Sequence, residues 1–204
     1  VTGPGASASF PYHAHPIRTE RLLLRPLTEA DTDDVAAYQA RPDVVRYLPW
    51  PVRTAAESRG HTRKRAAFTR LVDDGDGLVL AAELLGADGE PGPVIGDLSV
   101  FLRDHENAQI AVGWVFHPDW HGRGFATESA TAVLDLAFGE LGAHRVFAEL
   151  DPRNVASVAL CLRLGMRLEA HFVENAFFKG EWSDLQVFAA LARDRSTPSR
   201  PERR

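Results

Sequence analysis

The apolar positions of this chain change period twice. Leu22-Leu23-Leu24, inside the stretch Arg18 to Pro26 and closed by Pro26, predicts a short strand. Thr28 followed by Asp31 forms an N-cap pattern with an acidic first turn. Ala30, Val35, Ala36 and Tyr38 or Ala40 give the ensuing helix its apolar side. Pro42-Asp43-Val44-Val45 predicts a second short helix, ending before Pro49-Trp50-Pro51. A charged, alanine-containing helix is predicted from Thr54 to Leu71, with Ala56, Ala67, Phe68 and Leu71 buried, stopped by Asp73-Asp74-Gly75-Asp76-Gly77. The period then becomes two. Strands are predicted from Leu78 to Leu84, Val94 to Leu102 and Ala108 to Phe116, joined by a Gly/Pro-rich loop at 86–93 and a turn at 104–107 as an antiparallel meander.

Helical spacing returns after Gly124, where Phe125, Ser129, Val133, Leu136 and Ala137 share one face. Val146 to Leu150 follows as a strand, and a strand–helix–strand crossover places it parallel to the third meander strand. Asn154 to Leu164 predicts a helix stopped by Gly165. Arg167 to Phe178 and Trp182 to Leu191, on either side of Lys179-Gly180-Glu181, predict a closing hairpin. The expected fold is α/β (α+β), a mixed and mostly antiparallel sheet of about seven strands with helices on both faces.

Composition narrows the classes. With 204 residues, 45% hydrophobic and 25% charged, nothing divides the chain into separate globular units. Residues 17–193 are expected to form a single domain, with 1–16 a flexible N-terminal segment and 194–204 a disordered polar tail. The N-terminal residues lack the charged and apolar regions of a secretory signal. A net charge of -5 argues against nucleic acid as a partner. No apolar run approaches the roughly 18 residues of a membrane span, so no membrane association is expected. Cys161 is the single cysteine and cannot form an internal disulfide, which suits a cytoplasmic location. The 8 histidines show no ligand spacing, and no metal is expected.

Candidate chemistry concentrates between the third meander strand and the next helix, in His117-Pro118-Asp119-Trp120-His121-Gly122-Arg123-Gly124-Phe125-Ala126. Gly122 and Gly124 allow a ligand close to the backbone. The helix N-terminus adds about half a positive charge, and Arg123 adds a full one. Such a loop can hold a pyrophosphate on converging N–H groups, although Gly-x-Gly also occurs as a plain tight turn. A dinucleotide-binding loop would need a third glycine where Thr127 stands and would follow its strand at once, whereas His117 to Trp120 intervene. Glu149, at the end of the next strand, does stand where a ribose-binding acid would, but the preceding antiparallel meander rejects that architecture. No Gly-Lys-Ser/Thr follows, which excludes a P-loop.

The segment resembles motif A (Q/R-x-x-G-x-G/A) of the GNAT N-acetyltransferases, and most closely their RimJ/RimL branch. Thr19-Glu20-Arg21-Leu22-Leu23-Leu24-Arg25-Pro26 is similar to that branch's opening T-E-R-L-x-L-R-P. Trp114 with His117-Pro118 resembles its fourth strand and exit, and Gly124-Phe125-Ala126-Thr127-Glu128 its G-Y-A-T-E. Asp151-Pro152-x-Asn154-x-x-Ser157 followed by Leu164-Gly165-Met166 resembles D-P-x-N-x-x-S…L-G-F. Lys179-Gly180-Glu181-Trp182-x-Asp184 resembles K-G-x-W-x-D.

The resemblance implies acetyl-coenzyme A as donor and a primary amine as acceptor, either a protein N-terminal α-amine or a small amine, attacking directly through a tetrahedral intermediate. It implies a fourth strand that bulges and splays from the fifth. Backbone groups of Val115, Phe116 and His117 would then hold the pantetheine and thioester. His121, Gly122, Arg123, Gly124, Phe125, Ala126 and Thr127 would hold the pyrophosphate, and Asn154 the cofactor arm. His121 replaces the usual Gln or Arg, at a position that contributes mainly backbone. Cys161 stands where many members carry a Tyr general acid, so Ser157 becomes the candidate proton donor to the thiolate, and Cys161 itself reads as core packing.

Thioester aminolysis also needs a neutral amine. Glu174, Glu149 and Asp184, in that order, are the candidate base or amine-binding groups, and each also reads as an ordinary strand carboxylate. Trp182 and Trp50 are candidates for lining the acceptor cleft. The Arg63-Lys64-Arg65 run reads as a solvated helix face. The oligomer is expected to be a monomer or a homodimer. The alternative function is a non-catalytic coenzyme A-binding or sensing module of the same fold.

Overall fold

A computed structural model describes residues 10–195. Two short strands, β1 (Tyr12–His13) and β2 (Ile17–Arg18), precede β3 (Leu22–Pro26). Three helices follow, α1 (Thr32–Gln39), α2 (Pro42–Val45) and α3 (Ala55–Ala66), then β4 (Thr69–Leu71), β5 (Gly77–Leu85), β6 (Pro91–Asp104) and β7 (Gln109–Phe116). The C-terminal half runs α4 (Phe125–Gly139), β8 (Arg145–Leu150), α5 (Val155–Arg163), β9 (Arg167–Phe178), β10 (Glu181–Leu191) and α6 (Ala192–Arg195). The strands form one sheet in the order β1-β4-β5-β6-β7-β8-β10-β9, with β3 also on β5 and β2 on β3. Every pairing is antiparallel except β7 with β8, as the crossover through α4 requires.

The sheet has ten strands rather than about seven, because three short ones escape the periodicity. Tyr12 and His13 pair with Leu71 and Arg70, so residues 10–16, expected to be flexible, contribute an edge to the sheet. The remaining residues of the two expected flexible ends, 1–9 and 196–204, lie outside the described residues. The helix expected from Thr54 to Leu71 stops at Ala66; Thr69–Leu71 is a strand, and Leu71 is buried from there instead.

Alternation along β5 puts Leu78, Leu80 and Ala82 into one core with α4 and α5, and Val79 and Ala81 into a second core with Val35 and Tyr38 of α1. Helices therefore cover both faces. Conserving that arrangement are three carboxylate knots built from the sequence motifs. Glu128 accepts from the Thr19 hydroxyl (2.6 Å), the Arg21 N–H (2.8 Å) and the Arg21 guanidinium (2.8 Å), joining β3 to the first turn of α4. Arg25 reaches Asp31 (2.7 Å) and Glu83. Asp151 accepts from Arg153 (2.6 Å) and the Ser183 hydroxyl (2.7 Å), holding the end of β8 against β10.

Burial pushes Asp31, Glu128 and Asp151 up, but their hydrogen-bond donors and facing arginines outweigh it and hold all three carboxyls below their usual range. A depressed folded-state pKa gives stability that is present above the unfolded value, about 4, and lost as pH falls through the folded one. Asp151→Asn is therefore expected to lower the urea midpoint at neutral pH and to flatten its decline below about pH 4. An equally steep acid decline in the variant would contradict this.

Candidate active site

The two parallel strands at the centre of the sheet separate. Gln109, Ile110 and Ala111 pair with Arg145, Val146 and Phe147, and no pairing between β7 and β8 continues beyond them. β8 stays paired with β10 through Leu150, and β7 stays paired with β6 through Phe116, so the sheet opens between them. The β6–β7 register is unbroken from Leu102/Ile110 to Gly96/Phe116, so the gap opens without the expected bulge near Val115. The His117 N–H donates to the Ile95 carbonyl at 2.8 Å. Antiparallel alternation then commits the backbone of Val115 and the His117 N–H to β6, the His117 carbonyl accepting from Trp120 (3.0 Å), and turns the N–H and C=O groups of Trp114 and Phe116 into the gap. Of the three residues expected to offer backbone there, Phe116 is so placed. Val115 and His117 are not, whereas Trp114 is. A sequence cannot show this, because the phase of the ladder depends on the partner strand.

The loop after β7 folds back on itself. The His121 N–H bonds the Pro118 carbonyl (2.9 Å), and its imidazole Nε2 lies 3.1 Å from the Phe116 carbonyl. His121 thus braces the loop through its side chain, and its N–H is already used. Gly122 (φ 73°) and Gly124 (φ 84°) are both left-handed, the conformation that favours glycine. Among the described residues, the N–H groups of Gly122, Arg123, Gly124, Phe125, Ala126 and Thr127 find no acceptor. Six free donors at a helix N-terminus form an anion cradle. Arg21 holds it from behind, donating to the Arg123 carbonyl (3.0 Å), with its guanidinium 4.3 Å from the centre of the Phe125 ring. The Arg123 guanidinium lies 4.9 Å from the Trp120 ring centre.

Across the gap, Asn154 caps α5 by accepting the Ser157 N–H at 3.2 Å. The Trp114 indole N–H donates to the Ser157 hydroxyl oxygen at 3.2 Å. That contact uses an acceptor position of the hydroxyl and leaves its proton available. Cys161 is fully buried, and burial pushes its thiol up to about 12, consistent with packing rather than chemistry.

The acceptor-side residues are less gathered. Glu149 is exposed on β8, two residues past the last pair with β7, and so borders the gap. Glu174 is exposed on β9 with φ 50°; the Asp184 carboxylate accepts its N–H (2.9 Å) and sits 2.7 Å from His171 Nε2. Those two contacts, the N–H first, hold Asp184 below the usual carboxylate range. Trp182 is exposed and packs edge-on against Phe177, at 5.3 Å. Trp50 lies partly buried between His61 and Arg53. Hairpin and helices meet where Lys179 donates to the carbonyls of Val45 and Leu48 (2.9 Å to the latter).

Sequence reasoning missed a buried triad. Asp97 of β6 accepts from the Tyr38 hydroxyl (2.5 Å) and Arg65 (2.6 Å), and Asp97 and Tyr38 are essentially inaccessible. Arg65 therefore leaves the solvated run it was placed in; Arg63 remains at the surface, paired with Glu29 (2.9 Å). The available signal was a lone acid in the middle of Val94-Ile95-Gly96-Asp97-Leu98-Ser99-Val100. Among the described residues, no group of three or more His, Cys, Asp or Glu could hold a metal ion, and no helix is long and apolar enough to cross a membrane.

The sheet thus opens between two parallel strands, with free N–H groups at the start of α4 and the Ser157 hydroxyl held by Trp114. The acetyltransferase (GNAT) domain model matches residues 21–167, and the chain belongs to that family. Acetyl-coenzyme A is accordingly its co-substrate, and acetyl transfer to amines its general activity. It is similar to the uncharacterized N-acetyltransferase YnaD of Bacillus subtilis, with 29% identity over 180 residues, 86% of this chain and 96% of the relative. A GNAT-family acetyltransferase structure from Bacillus anthracis superposes with a TM-score of 0.76 at 27% identity, covering 88% of this chain and 99% of that one. RimL, the ribosomal L7/L12 alpha-N-protein acetyltransferase solved with coenzyme A, shares the fold with a TM-score of 0.71 at 18% identity, covering 87% and 98%.

Proposed function

We propose that this chain is a RimJ/RimL-like N-acetyltransferase whose acceptor is an α-amine or a small amine of similar basicity. The supporting observation is the Ser157 hydroxyl, held beside the gap by the Trp114 indole with its proton unassigned. The N–H groups of Gly122 to Thr127 hold the pyrophosphate, and the Asn154 side-chain amide, free of other partners among the described residues, reaches the cofactor arm. The bound co-substrate supplies an activated acetyl carbonyl. A gap-facing N–H of Trp114 or Phe116 meets the oxyanion that develops there. The amine forms the new C–N bond, the C–S bond breaks, and Ser157 relays a proton to the leaving sulfur, taking one back from solvent as it does so. Glu149, at the border of the gap, accepts the amine proton; it replaces Glu174 as the first choice, because Glu174 lies in the hairpin with Asp184. Neutralising an α-amine at pH 7 costs about 1.4 kcal/mol against about 4.6 kcal/mol for a lysine, so a partly solvated carboxylate suffices for the former.

Ser157→Ala is expected to lower kcat by about ten- to a hundredfold, at the low end for general acids because a thiolate leaves readily. The KM for acetyl-coenzyme A should hardly move. Thiol release with peptide and amine acceptors measures both. An unchanged kcat would remove Ser157 from the mechanism, and tight coenzyme A binding without thiol release on any amine would favour the non-catalytic module.

A further inference from the structure

The face of the sheet opposite α4 and α5 carries polar groups that acetyl transfer does not use. Ser58, His61, Thr62 and Arg65 share one side of α3, at spacings of three and four. This polar side is the one turned inward: Ser58 is 1% exposed and Thr62 0%. Gln39 of α1, also 0% exposed, accepts from Arg53 at 3.0 Å. The Arg53 guanidinium lies 5.1 Å from the Trp50 ring, and that ring lies 6.1 Å from His61.

After every contact is made, five buried polar atoms in this cluster have no partner: Gln39 Nε2, Trp50 Nε1, Ser58 Oγ, Thr62 Oγ1 and Arg65 Nη1. All five can donate, and only the two hydroxyls can also accept. The nearby carboxylate is already used, because Asp97 is shared by Tyr38 and Arg65. Each unpartnered buried donor is costly, and a native fold rarely collects them in one place without something to receive them. Inside the cluster Arg53 and Arg65 face the single buried carboxylate of Asp97, with the exposed Glu57 acting on Arg53 from the start of α3. His61 responds to the cluster: burial first, then Arg53 and Arg65, lowers the imidazole to about 4 and keeps it neutral.

The cluster also has a position relative to the chemistry. Asp97 is directly opposite Val115 of β7, one strand from the open gap. Trp50 and Arg53 reach it from the segment between α2 and α3, and Lys179 ties the start of that segment to the closing hairpin through the Val45 and Leu48 carbonyls.

We propose that these donors form a subsite for an anionic oxygen group, a carboxylate or a phosphate, carried by the acceptor amine. This rests on the N-acetyltransferase reading and narrows it: the acceptor is an amino acid or another small amine with an anionic group, not a polyamine.

The test compares full-length enzyme on amino acids, their amides, a phosphate-bearing amine and spermidine, each with acetyl-coenzyme A. Thr62→Val removes one donor at nearly constant volume, and Trp50→Phe removes another together with part of the indole ring. Wild type should prefer the anionic acceptors to the amides by at least about tenfold in kcat/KM, expressed in KM. Both variants should collapse that ratio without changing the KM for acetyl-coenzyme A. The phosphate-bearing amine against the amino acids decides which oxyanion fits. Calorimetry with acetate and inorganic phosphate, without coenzyme A, separates the two claims. Anion binding that the variants lose, without transfer to any amine, would keep the subsite and end the transferase reading. Transfer to amides and spermidine as efficient as to amino acids, with no anion binding, would overturn the subsite alone. A Thr62→Val protein that melts higher with unaltered KM values would likewise overturn it, marking the hydroxyl as unpaired packing.

Discussion

Gly124→Val is expected to weaken coenzyme A binding by at least about a hundredfold while leaving the fold intact. Gly124 caps α4 with φ 84°, where a β-branched residue is strained by about 1–3 kcal/mol. A Cβ there would only touch the Arg21 guanidinium, at 3.4 Å, so the left-handed backbone angle carries the effect. Relief requires rotating the loop, which turns the N–H groups of 122–127 off a common target. Loss of two charge-assisted hydrogen bonds, each about 1.5–3 kcal/mol, gives the expected factor. Gly122→Ala should be milder, since no atom lies within 4 Å of its Cβ and only the φ of 73° opposes it. Calorimetric titration with coenzyme A, alongside circular dichroism, measures both. Unchanged affinity in Gly124→Val would remove the loop from the phosphate site.

Asp97→Ala is expected to destabilise the protein by about 3–5 kcal/mol, because it strands the Arg65 charge and the Tyr38 hydroxyl in the interior. The cost comes from breaking the pair rather than from its net worth, so Asp97→Leu combined with Arg65→Met should recover much of the loss. Urea midpoints with an unchanged slope measure this. A single variant within about 1 kcal/mol of wild type would mean that water reaches the triad.

The parts legible in the sequence were those set by local rules. Alternation located β5 to β10, helical spacing located α4 and α5, and the need for left-handed backbone singled out Gly122 and Gly124. The end of helix α3 is not legible, because Phe68 and Leu71 continue its charged and apolar mixture and nothing before Asp73 breaks it. β1, β2 and β4 have too few residues to display a period, and pairing partners alone define them. The free N–H groups of the loop were readable because they belong to the backbone, whose supply of donors glycine and a helix start announce. The gap-facing backbone was not, since the phase of β7 is fixed by β6, and Val115 and His117 fell on the wrong side of it. Tyr38, Arg65 and Asp97 meet from three elements distant in sequence, and only the unpaired look of Asp97 in an apolar strand pointed there. The motifs Thr19-Glu20-Arg21 and Glu128 likewise read as separate signatures until the fold joined them in one hydrogen-bonded knot.

The open gap between β7 and β8 is expected to position an activated acetyl group for attack by an amine. Incubation with acetyl-coenzyme A labelled isotopically in its acetyl group, followed by mass spectrometry of a mixed amine pool, tests it most directly. The expected result is label on the nitrogen of an α-amine or small amine, with free thiol released in equal amount and both reduced by Ser157→Ala. Bound coenzyme A with no amine labelled above the uncatalysed background would contradict it.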